Sequence, residues 1–162
     1  MDLSPLMERL RSMGKRLYLP VIHGSRLWFL PFDAGTPLTR NRFGIAEPTV
    51  PPSARCLPQA LDVVLTPLVA FDDHGRRLGM GGGYYDRTFA YLLKRRRWTR
   101  PRLIGIAHNL QRIPVLPARE WDVPLHGVAT ETGLRWFPAG QDLTCCQAVT
   151  SRDGPWVDEF RT

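Results

Sequence analysis

The sequence predicts an α/β fold, a three-layer α/β/α arrangement around a Rossmann-like sheet. Three observations carry that expectation. Two short apolar runs, residues 61–70 and 102–107, have the length and composition of buried strands. A stretch with helical spacing, residues 84–97, lies between them and places Phe89, Leu92 and Leu93 on an inward face. A glycine-rich turn, Gly79-Met80-Gly81-Gly82-Gly83, joins the first run to that helix.

The remaining elements follow in order. Ser4-Pro5 reads as a helix start, with Ser4 as cap and Pro5 at the first position. Leu6, Met7, Leu10 and Met13 then give one face, and Gly14 stops the helix. Residues 16–22 and 26–32 flank His23-Gly24-Ser25, a hairpin signal. Residues 33–60 are proline-rich and read as an ordered loop with little regular structure. A buried strand is expected at 61–66 and another at 102–107. Residues 108–127 read largely as loop, and 128–130 and 134–137 as short strands. No internal repeat occurs. Residues 138–162 are polar and lack a clear period, which predicts a poorly packed extension.

Composition narrows the class. A chain of 162 residues is one domain by size and can bury one substantial core. No apolar run reaches the roughly 18 residues of a membrane span. The first residues lack a basic segment followed by an apolar one, so no secretory signal is expected. Cys56 and the adjacent Cys145-Cys146 form neither a metal spacing nor a disulfide framework. They read as free thiols of a reducing, cytoplasmic compartment.

The net charge of +7 raises nucleic acid as a partner. All but two of the 22 basic residues, Lys15 and Lys94, are arginine. The tight cluster is Lys94-Arg95-Arg96-Arg97, followed by Trp98 and Arg100. Cations at a helix C-terminus complement its dipole. A solvated helix end is therefore the favoured reading of the cluster over a nucleic-acid patch.

The glycine turn carries the chemistry. Backbone N–H groups at such a turn can point at an anion, and glycines let the main chain approach it closely. The third glycine of a dinucleotide fingerprint would fall on Tyr84, which disfavours an NAD site. No Gly-Lys-Ser/Thr follows, so this is not a Walker A loop. Arg76 and Arg77 precede the loop and Asp86 follows it, which suits a metal-bound nucleotide better than a bare anion. The plain alternative is a tight turn whose glycines supply positive φ.

The full string Arg77-Leu78-Gly79-Met80-Gly81-Gly82-Gly83-Tyr84-Tyr85-Asp86, after Phe71-Asp72-Asp73-His74-Gly75, resembles the signature of the 5-formyltetrahydrofolate cyclo-ligase family. These enzymes are also called 5,10-methenyltetrahydrofolate synthetases. Gly44-Ile45-Ala46-Glu47-Pro48, the strand at 61–67, Glu120-Trp121-Asp122 and Val128-Ala129-Thr130-Glu131 are similar to further family segments. The resemblance covers about residues 2–137. It implies a NagB/RpiA/CoA-transferase-like fold for 1–137, with 138–162 as an extension.

It also implies a reaction: ATP- and Mg²⁺-dependent cyclisation of 5-formyltetrahydrofolate to 5,10-methenyltetrahydrofolate, with release of ADP and phosphate. By the resemblance, ATP lies against Arg77, Leu78, Gly79, Met80, Gly81, Gly82, Gly83, Tyr84 and Tyr85. Arg77 and Tyr84 serve catalysis, Arg77 as a phosphate clamp and Tyr84 at the folate pocket. Asp86 and Asp122 hold Mg²⁺. The residues alone leave duller roles open: Asp86 as a dipole partner, Asp122 as a turn cap, both tyrosines as core aromatics, Glu47 on the surface. Trp121 and His108 read as packing or surface residues.

Family members begin some tens of residues earlier, with a basic helix, a first strand and a folate-binding glutamate. The chain is expected to start just after that glutamate, which would leave an unpaired sheet edge. A monomer acting on a small molecule, away from membranes and nucleic acid, is the expectation. A non-catalytic nucleotide-binding homologue and a basic nucleic-acid-binding module are the alternatives.

Overall fold

Short β-branched and aromatic segments make the strands here, and the turns between them decide which strands meet. The computed structural model describes residues 1–94 and 100–138. The cluster at 95–98 and the tail from 139, with Cys145 and Cys146, lie outside the described residues.

Helix α1 spans Ser4–Ser12. Its N-cap is Leu3, not Ser4, and no side chain caps it; the Ser4 N–H is instead taken by Asp2 Oδ1 at 2.9 Å in the turn that leads in. Pro5 sits in the first turn, where no N–H is needed. Gly14, at φ +69°, ends the helix as expected. None of its side chains is buried, and Leu6 and Met13 are exposed. Its expected apolar face is therefore largely open, and Arg11 stacks on the Phe32 ring instead.

Strands β1 (Tyr18–His23) and β2 (Arg26–Pro31) form the expected hairpin, in register from Tyr18 opposite Pro31 to His23 opposite Arg26. The proline-rich stretch is more regular than its composition suggests. β3 (Leu38–Arg40) and β4 (Ala46–Pro48) pair antiparallel, and two single 3₁₀ turns follow at Pro52–Ala54 and Pro58–Ala60. Asn41 makes this possible: its side-chain oxygen accepts the N–H groups of Phe43 and Ile45 and closes the turn locally.

Next come β5 (Val63–Pro67), the two-residue strands β6 (Ala70–Phe71) and β7 (Arg77–Leu78), and β8 (Arg102–Ile106). β9 (Gly127–Thr130) and β10 (Gly133–Trp136) complete the main sheet, ordered β10-β9-β8-β5. β5, β8 and β9 run parallel and β10 antiparallel, so the α/β sheet is mixed. Among the described residues β8 is the one neighbour of β5. Gly105 lets side chains close over β8: a Cβ there would lie 2.7 Å from Leu68 and 2.8 Å from Leu125.

The expected helix 84–97 is broken at Ala90, and its residues from 95 lie outside the described ones. α2 covers Tyr84–Phe89 and α3 covers Tyr91–Lys94, with Ala90 between them. Thr88 supplies a cause. Its hydroxyl donates back to the Tyr84 carbonyl at 2.6 Å and accepts the Leu27 N–H at 2.8 Å. Such a back-bond bends a helix, and here it also ties α2 to β2. Phe89 is fully buried, as expected, whereas Leu93 points outward.

Leu27, Phe29, Leu61, Val64, Phe89, Leu103, Val123 and Leu125 form the main core. Burying a side chain of this size contributes about 1.5–3 kcal/mol. A second cluster of Phe71, Ala107 and Val128 packs beside Leu68 and Phe137. Among the described residues no helix is long and apolar enough to cross a membrane.

Two aspartates fix the approach to the glycine loop. Asp72 is fully buried, and its carboxylate accepts the N–H groups of His74, Arg76 and Leu116. Asp73 pairs with Arg112 and Arg135 and so joins three segments. The hydrogen bond from Arg112 is the main reason that the Asp73 carboxyl sits below its ordinary value of 3.8. A carboxyl depressed in the folded state adds stability above its unfolded value and loses it as pH falls through the folded one. The melting temperature should fall between about pH 5 and pH 3, and Asp73→Asn should fall less steeply over that range. Parallel curves for the two proteins would show that Asp73 contributes nothing to acid sensitivity.

Candidate nucleotide-binding site

The loop between β7 and α2 is built to leave its N–H groups open. Gly81 and Gly83 hold φ of +84° and +59°, which other residues adopt only with strain. Met80 is 96% exposed, and nothing lies within 4 Å of a Cβ placed at Gly79 or Gly81. The carbonyls of Gly82 and Gly83 are taken by the Arg87 side chain and backbone. Among the described residues, none of the N–H groups of residues 79–83 donates to the protein. A run of free donors beside satisfied carbonyls is an anion receptor. α2 is only six residues long, so the loop's own N–H groups carry more of the attraction than a helix dipole does.

Arg77 faces inward. Its side chain is 6% exposed, its Nη2 donates to Asp86 Oδ1 at 2.7 Å, and its Nη1 donates to the Val123 carbonyl. The Val123 N–H in turn donates to Asp86 Oδ1 at 3.1 Å. Arg77, Asp86 and Val123 thus close a triangle that joins β7, α2 and the segment before β9. In this geometry Arg77 shapes the site from behind; the outward phosphate clamp expected of it would require it to turn.

Asp86 is about a quarter exposed, and both of its protein bonds fall on Oδ1. Asp122 precedes Val123, and its Oδ2 accepts the Arg119 N–H at 2.9 Å. That bond closes a tight turn, so the turn-cap reading of Asp122 is realised. The two carboxylates flank Val123. A cavity of about 10 Å³ lies on the Asp122 side of Arg77, lined by Arg76, Arg77, Ala118, Asp122, Val123 and Pro124. Among the described residues no three ligating side chains cluster into a cage. One or two carboxylates beside a phosphate loop suit Mg²⁺, which keeps waters and takes its other ligands from phosphate.

The tyrosines divide as their neighbours dictate. The Tyr84 ring lies against Gly82, where a Cβ would sit 2.8 Å from the ring, and Arg87 stacks on it at 5.4 Å. Tyr85 packs into the core beside Phe89. Burial pushes its hydroxyl up to about 12, opposed by the charge of Arg77, so it stays protonated at neutral pH. Glu47 is half-buried rather than a surface residue; Oε1 accepts the Ile22 N–H and the Asn41 side-chain amide. Trp121 and His108 are exposed, as expected.

Sequence reading assigned no role to Arg87 or Thr88, although both lie in or beside the motif. A threonine inside a helix, one turn after the loop, was the available signal for Thr88. The partner of Arg87 is a backbone carbonyl at Ser25, which no pattern marks.

Comparison with known proteins agrees with this geometry. Residues 2–131 match the model of the 5-formyltetrahydrofolate cyclo-ligase family. The chain is 44% identical over 133 residues to the 5-formyltetrahydrofolate cyclo-ligase of Escherichia coli K12, covering 80% of this chain and 71% of that protein. It is 41% identical over 128 residues to the enzyme of the same name from Haemophilus influenzae, covering 76% of this chain and 65% of that one. Among solved structures, the 5,10-methenyltetrahydrofolate synthetase of Aquifex aeolicus superposes with a TM-score of 0.69 at 32% identity, over 90% of this chain and 70% of that one. The family implied by the glycine string is the family found, and the chain belongs to the 5-formyltetrahydrofolate cyclo-ligase family.

Proposed function

We propose that the protein closes the ring of 5-formyltetrahydrofolate at the expense of ATP, giving 5,10-methenyltetrahydrofolate, ADP and phosphate. The observation that carries this reading is the row of open N–H donors at residues 79–83, followed by Asp86 in the first turn of α2, in a chain 44% identical to a cyclo-ligase. In the balanced reaction the formyl oxygen takes the terminal phosphoryl group of ATP. N10 then attacks the activated carbon and gives up its proton, and phosphate leaves with that oxygen.

Such chemistry asks little acid–base work of a protein and much alignment. The N–H groups of residues 79–83 hold phosphate oxygens. Asp86, whose Oδ2 takes no bond among the described residues, and Asp122 would hold Mg²⁺. When bound, the ion spreads the charge of the transferring group. Arg77 keeps Asp86 in place and lends positive charge from behind. Tyr84 presents its ring at the edge of the loop, where the folate would lie. Tyr85 stays neutral in the core and supports α2. The domain responsible is 1–137, acting as a monomer in the cytoplasm on a small molecule.

The protein with 5-formyltetrahydrofolate, ATP and Mg²⁺ should produce a species absorbing in the near ultraviolet, in proportion to ADP released. ATP binding without product would assign it instead to the non-catalytic nucleotide-binding class. Asp86→Asn keeps the shape and the bond to Val123 but loses the anionic ligand. It should remain folded and lose at least about tenfold in turnover, with circular dichroism and initial rates as the checks. Wild-type rates with wild-type Mg²⁺ dependence would make Asp86 structural only. Arg77→Ala leaves Asp86 and the Val123 carbonyl without their donor. It should cost about 1–3 kcal/mol of stability in urea titration; a change below about 0.5 kcal/mol would show that the triangle is dispensable.

A further inference from the structure

Arg87 is an exposed side chain with three simultaneous attachments. Its Nε donates to the Ser25 carbonyl at 2.6 Å, in the turn between β1 and β2. Its Nη2 donates to the Gly82 carbonyl at 2.5 Å. Its guanidinium lies over the Tyr84 ring, with Cζ 5.4 Å from the ring centroid. The packing is close enough that a Cβ at Gly83 would fall 2.7 Å from Nη1. One planar fork therefore joins the free end of the glycine loop to a hairpin some sixty residues earlier.

The consequence lies in the peptide between Gly82 and Gly83. A trans peptide points its carbonyl and its N–H in opposite directions. Holding the Gly82 oxygen against Arg87 turns the Gly83 N–H away from Arg87, and that N–H donates to no backbone group among the described residues. A charged donor on that carbonyl also polarises the peptide and strengthens its N–H as a donor. The other half of the loop has no such restraint: Met80 is almost fully exposed, and Gly79 and Gly81 border open space.

We propose that Arg87 is a positioning residue that fixes the Gly82-Gly83 peptide so that the Gly83 N–H faces a nucleotide phosphate. It acts through the backbone, by geometry rather than by its own charge on the phosphate. The inference rests on the assignment of residues 79–83 as the ATP-binding loop.

Lysine at this position keeps the charge but lacks the second, rigidly placed donor nitrogen. The test is equilibrium binding of ATP with Mg²⁺ to wild type, Arg87→Ala and Arg87→Lys, measured calorimetrically, with steady-state kinetics alongside. Arg87→Ala should bind ATP about tenfold more weakly, the scale of one lost hydrogen bond. Arg87→Lys should recover less than half of that loss. The KM for ATP should rise more than the KM for 5-formyltetrahydrofolate, which loses only the support that Arg87 gives the Tyr84 ring, a split that general loosening of the fold would not give. Wild-type ATP affinity in Arg87→Ala would overturn the proposal. Full recovery in Arg87→Lys would also overturn it, by showing that charge alone matters. If Arg87→Ala does not fold, the affinity of Arg87→Lys decides on the same terms. A wild type that binds ATP but forms no product would overturn the proposed reaction and leave this inference intact; a wild type that does not bind ATP would overturn both.

Discussion

The triangle of Arg77, Asp86 and Val123 is the constraint from which the rest of the site follows. A guanidinium that is 6% exposed must find partners or carry a desolvation cost of several kcal/mol. Asp86 and the Val123 carbonyl are those partners, and they come from elements far apart in the chain. Satisfying Arg77 therefore draws α2 and the segment before β9 onto β7. That one act sets the first turn of α2, which follows the glycine loop, against the segment that carries Val123. The loop is then held at its ends, by Arg77 at the start and Arg87 at the finish, while its middle stays open.

The same arrangement sorts the polar groups by role. Carbonyls at the end of the loop are occupied, and the N–H groups of residues 79–83 are not. Asp72, fully buried, spends its carboxylate on three backbone donors and fixes the turn that delivers Arg77. Tyr85, pushed up to about 12 by burial, is a packing residue with a silent hydroxyl near neutral pH. What remains exposed at the site is a set of hydrogen-bond donors and two carboxylates. That inventory serves binding of a metal-bound polyphosphate better than proton transfer, and agrees with a reaction whose demands are alignment and charge neutralisation.

Local features were legible in the sequence and long-range ones were not. Gly24, Gly81 and Gly83 adopt positive φ at turns that the sequence marks, and the β1–β2 hairpin follows from the His23-Gly24-Ser25 turn between two apolar segments. The family was legible because one contiguous string carries it. The break at Ala90 was hidden because the Leu27 N–H, which engages Thr88, comes from 61 positions away. The inward turn of Arg77 was hidden for the same reason: its carbonyl partner lies 46 positions later. The hairpin of β3 and β4 escaped notice because three-residue strands have no measurable period and its closure depends on one asparagine side chain. The Asp122 side chain closes its own turn onto the Arg119 N–H, a local role that its place before Val123-Pro124 allows for.

The central claim is that nucleotide phosphate is received by the backbone of residues 79–83. The most direct test is amide NMR of ¹⁵N-labelled protein during titration with ATP and Mg²⁺. The account predicts that the N–H resonances of Gly79, Met80, Gly81, Gly82 and Gly83 move most and shift downfield as they gain phosphate oxygens. Perturbations confined elsewhere, such as the hairpin of β9 and β10 or the residues around Lys94 and Arg100, with the loop amides unmoved, would contradict it.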